Sequence, residues 1–152
     1  MTGEDLVEKA YNVFSGFEKP EQCTTFDDLE DSEFDAELRN VSRRELTSEQ
    51  VGTVAWGPIP SLSPEAIAYF MPRLIELAVT GALNSDGDPF LIHFVNAFSD
   101  EPSGGRYRLF EQKHRAVVGE TFAFLCGHSR DVLHAEGWLD EAKNAAVCWL
   151  GG

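Results

Sequence analysis

The apolar residues of this chain recur at steps of three and four positions, most clearly between Ser61 and Gly81. Ser63 precedes Pro64, which suits the first position of a helix, and Gly81 is a typical residue for a helix end. One face at this spacing contains Ile67, Phe70, Met71, Leu74, Leu77 and Ala78. We predict a central core helix with a kink near Ala68 to Tyr69, because Pro72 removes a backbone hydrogen bond and clashes with the preceding turn.

The same spacing predicts further helices on both sides of the central one. Capping patterns at Thr2 and Asp5, and at Thr47 and Gln50, mark the start of a first helix and of a short turn. The other predicted elements are an acidic helix before residue 41, helices at Pro89 to Phe98, from Tyr107 or Leu109 to about Cys126 and from Trp138 to Leu150, and a turn at Asp131 to Ala135. No stretch alternates cleanly with a period of two. We therefore predict a single all-α domain over residues 1–152, an irregular bundle of about five to seven helices around a proline-kinked central helix.

Charge is distributed unevenly along the chain. The 152 residues carry a formal net charge of -14, and half of it lies between residues 18 and 50, where eleven acids face four bases. Seven of the eleven positions from 27 to 37 are acids: Asp27, Asp28, Glu30, Asp31, Glu33, Asp35 and Glu37. Apolar residues recur among them at helical intervals, so we predict a loop that leads into an amphipathic helix with a wet, negative face.

This charge balance argues against a nucleic-acid-binding surface, because phosphate neutralisation needs clustered Lys and Arg. No segment reaches the roughly 18 uninterrupted apolar residues of a membrane span, and the first residues do not resemble a secretory leader. Cys23, Cys126 and Cys148 are odd in number and widely spaced, which indicates buried free thiols in a reducing compartment. We expect a soluble cytoplasmic protein that binds neither nucleic acid nor membrane.

A few His, Cys and acidic residues are spaced as metal ligands are. Glu111 and His114 have the Glu-x-x-His spacing of di-iron bundles, but those need two copies and the chain has one. Cys126, His128 and His134 offer sulfur and imidazole for zinc, although a second Cys is absent. A solvated helix face and a small buried thiol are the alternatives. We predict no cofactor and keep these five residues as weak metal candidates.

Other motifs of known chemistry are missing from the sequence. Asn84-x-Asp86-x-Asp88 starts like a calcium-binding EF-hand loop, but Pro89 and Val95 stand where that loop needs Gly and Glu. The sequence has no Gly-x-Ser-x-Gly elbow, no phosphate-binding glycine-rich loop and no dinucleotide fingerprint. No motif therefore identifies a reaction.

The segment Leu62-Ser63-Pro64-Glu65-Ala66-Ile67-Ala68-Tyr69-Phe70-Met71-Pro72-Arg73-Leu74 resembles the signature of an uncharacterised bacterial family of small acidic helical proteins, a domain of unknown function. Similar flanking pieces are Pro20-Glu21-Gln22-Cys23 with Arg43-x-x-Leu46-Thr47, and Phe122-Ala123-Phe124-Leu125 in a helical region ending at Trp149. Family members often carry His-Cys-x-x-Cys in the first flank, of which only Cys23 is present here. The resemblance covers most of the chain, implies a helical fold and implies no established activity.

The charge distribution favours a non-enzymatic protein-binding module. In this hypothesis residues 27–37 meet a basic protein, as immunity proteins and antitoxins meet cationic toxins, since complementary potentials speed encounter and suppress wrong partners. Net charge that only maintains solubility is the simpler interpretation. A metal-binding protein or a Cys/His-dependent enzyme is the alternative function, and a subunit that oligomerises through an aromatic surface near Trp56 and Trp138 is a third. The oligomeric state is left open.

Overall fold

The computed structural model describes residues 1–25, 29–52 and 57–151, with the side chains of residues 29–31 excepted. The α-helices of these residues are α1 (Gly3–Val13), α2 (Leu29–Arg39), α3 (Ser48–Val51), α4 (Pro64–Val79), α5 (Phe90–Phe98), α6 (Gln112–His128), α7 (Arg130–Ala135) and α8 (Leu139–Gly151). Short 3-10 segments occupy Ile59–Ser61 and Gly105–Tyr107. The only β pairing in these ranges is two isolated bridges. The predicted all-α class is confirmed.

Helix α4 is the centre of the fold, as its apolar face predicts. The Ser63 side chain accepts a hydrogen bond from the backbone N–H of Ala66, and Pro64 occupies the first turn, where its missing N–H costs no intrahelical bond. Ten residues of α4 are buried, and the helix packs against α1, α5 and α6. Gly81, with a φ of 73°, follows the helix end. Pro72 lies inside the helix, and the kink there stays a prediction.

Local capping signals fix the starts of two other helices. The N–H of Asp5 donates to the Thr2 hydroxyl at 3.1 Å, and the N–H of Thr2 donates back to the Asp5 carboxylate at 3.0 Å. Thr47 and Gln50 form the same reciprocal pair at the start of α3. Each pair satisfies two N–H groups that have no partner within the helix, so the predicted starts of these elements are confirmed.

Two boundaries differ from the sequence prediction. The described residues form eight α-helices where about five to seven are expected, because the predicted turn through Val51 and Val54 contains the helix Ser48–Val51 and the predicted turn at Asp131 to Ala135 is the helix Arg130–Ala135. Val54 lies outside the described residues. Helix α6 begins at Gln112, and the expected start at Tyr107 or Leu109 is wrong. Tyr107 belongs to a 3-10 turn and is fully buried, with its ring 4.8 Å from that of Trp149, so the chain must turn before the helix starts.

One continuous hydrophobic cluster joins α4 to the C-terminal helices. Helix α6 packs closely on α8, where a Cβ atom added at Gly119 would lie 2.6 Å from Cγ of Leu150. Trp149 is fully buried, and its indole N–H donates to the carbonyl of Phe98 at 3.0 Å. Among the described helices, none is long and apolar enough to cross a lipid bilayer.

Candidate partner-binding surface

The predicted acidic surface falls partly within the described side chains. Outside them lie four of its seven acids, Asp27, Asp28, Glu30 and Asp31. Glu33 and Glu37 are exposed and stand one helical turn apart on α2. Neither side chain forms an ion pair or hydrogen bond with any residue in the described ranges. These two carboxylates are therefore available to a partner.

Asp35 is the exception within this segment, because it is buried, with 5% of its surface exposed. One carboxylate oxygen accepts a hydrogen bond from the N–H of Cys23 at 2.6 Å, and the other pairs with Arg39 at 2.6 Å. Asp35 shares the inward face of α2 with Leu38, three positions on, and the buried amide of Cys23 needs an acceptor there. The expectation of a wet carboxylate is wrong for Asp35, which ties α2 to the segment before it.

The bases near this segment do not neutralise its exposed acids. The ammonium of Lys19 donates to the carbonyl oxygens of Arg39 and Val41, at 2.6 Å each. Both carbonyls lie at or just beyond the C-terminal end of α2, where unpaired carbonyls and the helix dipole favour a cation. Lys19 thus acts as a C-terminal cap, and no described acid pairs with it.

Arg43 has the same role at the end of α1. Its guanidinium donates to the carbonyls of Phe14 at 3.2 Å, Phe17 at 3.4 Å and Tyr69 at 2.7 Å, and it lies 4.6 Å from the centre of the Tyr69 ring. Burial lowers the pKa of Arg43. No carboxylate of the described residues contacts this cation, so it stabilises the interior and leaves the surface charge unchanged.

An open groove of about 830 Å³ lies between α1 and α4. At its floor the hydroxyl of Tyr11, which is 8% exposed, donates to Oε1 of Glu76 at 2.7 Å. Arg73 donates to the same oxygen at 2.6 Å. Glu4 and Glu8 also line the groove, exposed and one turn apart on α1. The groove therefore combines an aromatic floor with several carboxylates.

Burial and the hydrogen bonds among Tyr11, Glu76 and Arg73 determine the protonation states of Tyr11 and Glu76. Burial, followed by the hydrogen bond to Glu76, raises the pKa of Tyr11 to about 12. Burial alone would raise the pKa of Glu76, but the hydrogen bonds from Tyr11 and Arg73 outweigh it and the pKa is lowered. At neutral pH Tyr11 is therefore protonated and Glu76 is ionised. The guanidinium of Arg44 stacks on the other side of this network, 3.9 Å from the centre of the Tyr11 ring.

Sequence reasoning missed this groove. Glu4, Glu8 and Tyr11 follow each other at helical spacing, which is a weak signal shared by many solvated helices. The hydrogen bond at the floor of the groove joins Tyr11 to Glu76, which is 65 positions away, and no local sequence pattern predicts it.

The Glu-x-x-His pair has a structural explanation in α6. The N–H of Glu111 donates to Nδ1 of His114 at 2.8 Å, so His114 takes the place that Glu or Gln fills in a capping box. The imidazole is buried against the rings of Phe14, Phe17 and Phe110. Burial, with the nearby Lys113 charge, lowers the pKa of His114. The expected solvated helix face is wrong for this residue.

The remaining weak metal candidates are Cys126, His128 and His134. His128 stacks on Phe124, with ring centres 4.0 Å apart, and His134 is exposed on α7. No group of three or more His, Cys, Asp or Glu in the described ranges is arranged to hold a metal ion.

The three cysteines are free thiols, as predicted. Cys23 is buried and Cys126 half-buried, and burial raises the pKa of each thiol. The expectation of burial is wrong for Cys148, which is exposed on α8. Of the two tryptophans of the predicted aromatic surface, Trp56 lies outside the described residues, and Trp138 is half-buried and packs against the core.

No protein family, curated protein or solved structure matches this chain. The resemblance to the bacterial family therefore stays a prediction, and function is argued from the site.

Proposed function

We propose that this protein is a non-enzymatic binding module, of the kind represented by immunity proteins and antitoxins, that uses its acidic segment at residues 27–37 to bind a basic protein. The observation that carries the proposal is the pair Glu33 and Glu37. Both side chains are exposed and have no partner in the described residues, while Lys19 and Arg43 donate to carbonyl oxygens at helix ends.

Two like charges one turn apart weaken a helix by a few tenths of a kcal/mol. A basic partner relieves that repulsion on binding, and the uncompensated potential raises the rate of encounter. Because exposed charges are screened by salt, this mode of binding is strongest at low ionic strength.

The groove supports a binding role over acid-base catalysis. A general acid or base works best with a pKa near the working pH. The pKa of Tyr11 is raised to about 12 and the pKa of Glu76 is lowered. Both pKa values therefore lie farther from neutral pH than those of free Tyr and Glu, which disfavours proton transfer by either group.

Affinity capture from host cells at low and high salt tests the proposal. The baits are the native chain, the double variant Glu33→Gln with Glu37→Gln, and a control pair of equal charge change, Glu136→Gln with Asp140→Asn, both exposed. We expect a basic protein to be retained at low salt by the native chain and by the control, and to be depleted with the α2 variant. Recovery of no basic protein at low salt would overturn the proposal.

A further inference from the structure

The groove between α1 and α4 already holds one arginine, the chain's own Arg44. Its guanidinium stacks on the Tyr11 ring, and it makes no hydrogen bond or ion pair with the described residues. Arg44 is exposed, so the stacking contact is weak, and its charge also acts on the carboxylate of Glu76. The Tyr11 ring therefore binds a guanidinium by stacking, and the contact with Arg44 is weak enough for another guanidinium to replace it.

Acceptors for a second guanidinium surround this position. Tyr11 and Arg73 both donate to Oε1 of Glu76, and Oε2 receives no hydrogen bond from the described residues. Glu4 and Glu8 add two exposed carboxylates that are also without a described partner. A planar guanidinium suits this combination, since it stacks on a ring and binds carboxylates through its edge at the same time.

We propose that this groove receives an arginine side chain of the basic partner, which displaces Arg44 from the Tyr11 ring and bonds to Glu76, Glu4 or Glu8. This inference rests on the proposed function and adds where the partner is anchored. The groove's volume of about 830 Å³ exceeds what one side chain fills, so a short extended segment of the partner is accommodated with the arginine.

Titration with an oligo-arginine peptide and an oligo-lysine peptide of equal length, at low salt, tests the anchor. Removing the internal occupant in Arg44→Ala raises the affinity for oligo-arginine by about twofold to fivefold, the equivalent of one exposed cation–π contact. The matched control is Arg130→Ala, which makes the same charge change at an exposed position that has no ion pair with the described residues. Equal gains in the two variants would show an effect of net charge only and overturn the anchor.

The double variant Glu4→Gln with Glu8→Gln tests the carboxylates. We expect it to weaken oligo-arginine binding by more than the control pair Glu136→Gln with Asp140→Asn. Binding of oligo-lysine as tight as that of oligo-arginine would overturn the assignment to arginine.

The two proposals fail differently in these experiments. If the native chain binds neither peptide and captures no basic protein, the proposed function itself is wrong. If binding depends on Glu33 and Glu37 but is unchanged by Glu4→Gln with Glu8→Gln and by Arg44→Ala, the function stands and the groove is not the anchor.

Discussion

Residues 18–50 and residues 101–151 use their basic side chains in different ways. In the first region eleven acids face four bases. Lys19 and Arg43 donate to backbone carbonyl oxygens, and Arg39 pairs with the buried carboxylate of Asp35. In the second, seven acids face six bases. Three of these bases form ion pairs: Arg106 with Asp100 and Arg108 with Glu65, both acids outside the region, and Lys113 with Glu111 within it. The first region thus has seven more acids than bases, while the second has one more.

The difference shows that a count of charged residues gives the net charge of a region but does not determine the electrostatic potential at its surface. A base that caps a helix end makes the net charge less negative, but its hydrogen bonds go to carbonyl oxygens and not to the exposed carboxylates. The acidic region keeps Glu33 and Glu37 uncompensated for this reason. Four changes test this contrast, and the one with the largest expected effect comes first.

Arg43→Met removes the cation that the acidic region supplies to the interior. The carbonyls of Phe14, Phe17 and Tyr69 lose a charged donor, and hydrogen bonds to charged groups contribute about 1.5–3 kcal/mol. We expect the free energy of unfolding to fall by about 3 kcal/mol in chemical denaturation. Arg44→Met, at the neighbouring exposed position, costs less than about 1 kcal/mol. Equal effects of the two variants would contradict the role given to Arg43.

Asp35→Ala tests whether the buried acid of this segment contributes more to stability than its exposed acids do. It leaves the buried N–H of Cys23 without an acceptor, which costs about 2 kcal/mol in the free energy of unfolding. Glu37→Ala, two positions on and exposed, stays within about 0.5 kcal/mol of the native chain. Denaturation curves of both variants make the comparison. If Asp35→Ala changed the free energy of unfolding as little as Glu37→Ala does, the structural role given to Asp35 would be contradicted.

Acidification destabilises the protein through its buried histidines. Burial lowers the pKa of His93 and of His114, so the unfolded chain takes up protons more readily than the folded one. The stability that the neutral forms contribute is complete above the unfolded pKa of about 6.5 and is lost as the pH falls toward the lowered values. Each histidine contributes a slope of at most about 1.4 kcal/mol per pH unit.

His114→Gln keeps an acceptor at the third position of α6 and removes the titration. We expect the free energy of unfolding, measured between pH 7 and pH 5 (about the range of histidine titration), to depend less on pH than in the native chain. His134→Gln, on the exposed side of α7, is the control. An unchanged pH dependence in His114→Gln would show that His114 is not responsible.

Neutralising the exposed pair gives the smallest effect on stability. Glu33→Gln with Glu37→Gln removes one like-charge pair on α2, so we expect a gain of about 0.2–0.5 kcal/mol at low salt that disappears at high salt. Thermal melts at the two salt concentrations measure it. A loss of stability would mean that these carboxylates have structural partners.

The sequence predicted those features that depend on neighbours three or four positions apart. The helix starts at Thr2, Thr47 and Ser63 are of this kind, because the capping side chain and the N–H that it satisfies lie in the same turn. His114 is also a local cap, and it was misinterpreted because the third position of a capping box usually holds Glu or Gln.

Features that depend on distant contacts could not be predicted. The burial of Asp35 depends on an amide 12 positions away, and the floor of the groove depends on a contact between residues 65 positions apart. The capping by Arg43 likewise requires α1 and α4 to be packed together first. Composition located the charge in the sequence, but only the folded chain assigns each base to a carbonyl or to a carboxylate.

The surface field around the two regions is the most direct test of this account. Nuclear magnetic resonance with matched cationic and neutral paramagnetic molecules measures how strongly cations accumulate near each backbone amide. We predict a markedly more negative potential at the amides of Glu33 and Glu37 than at those of the exposed residues of α8. Equal potentials in the two places would contradict the claim that the bases of the acidic region leave its carboxylates uncompensated.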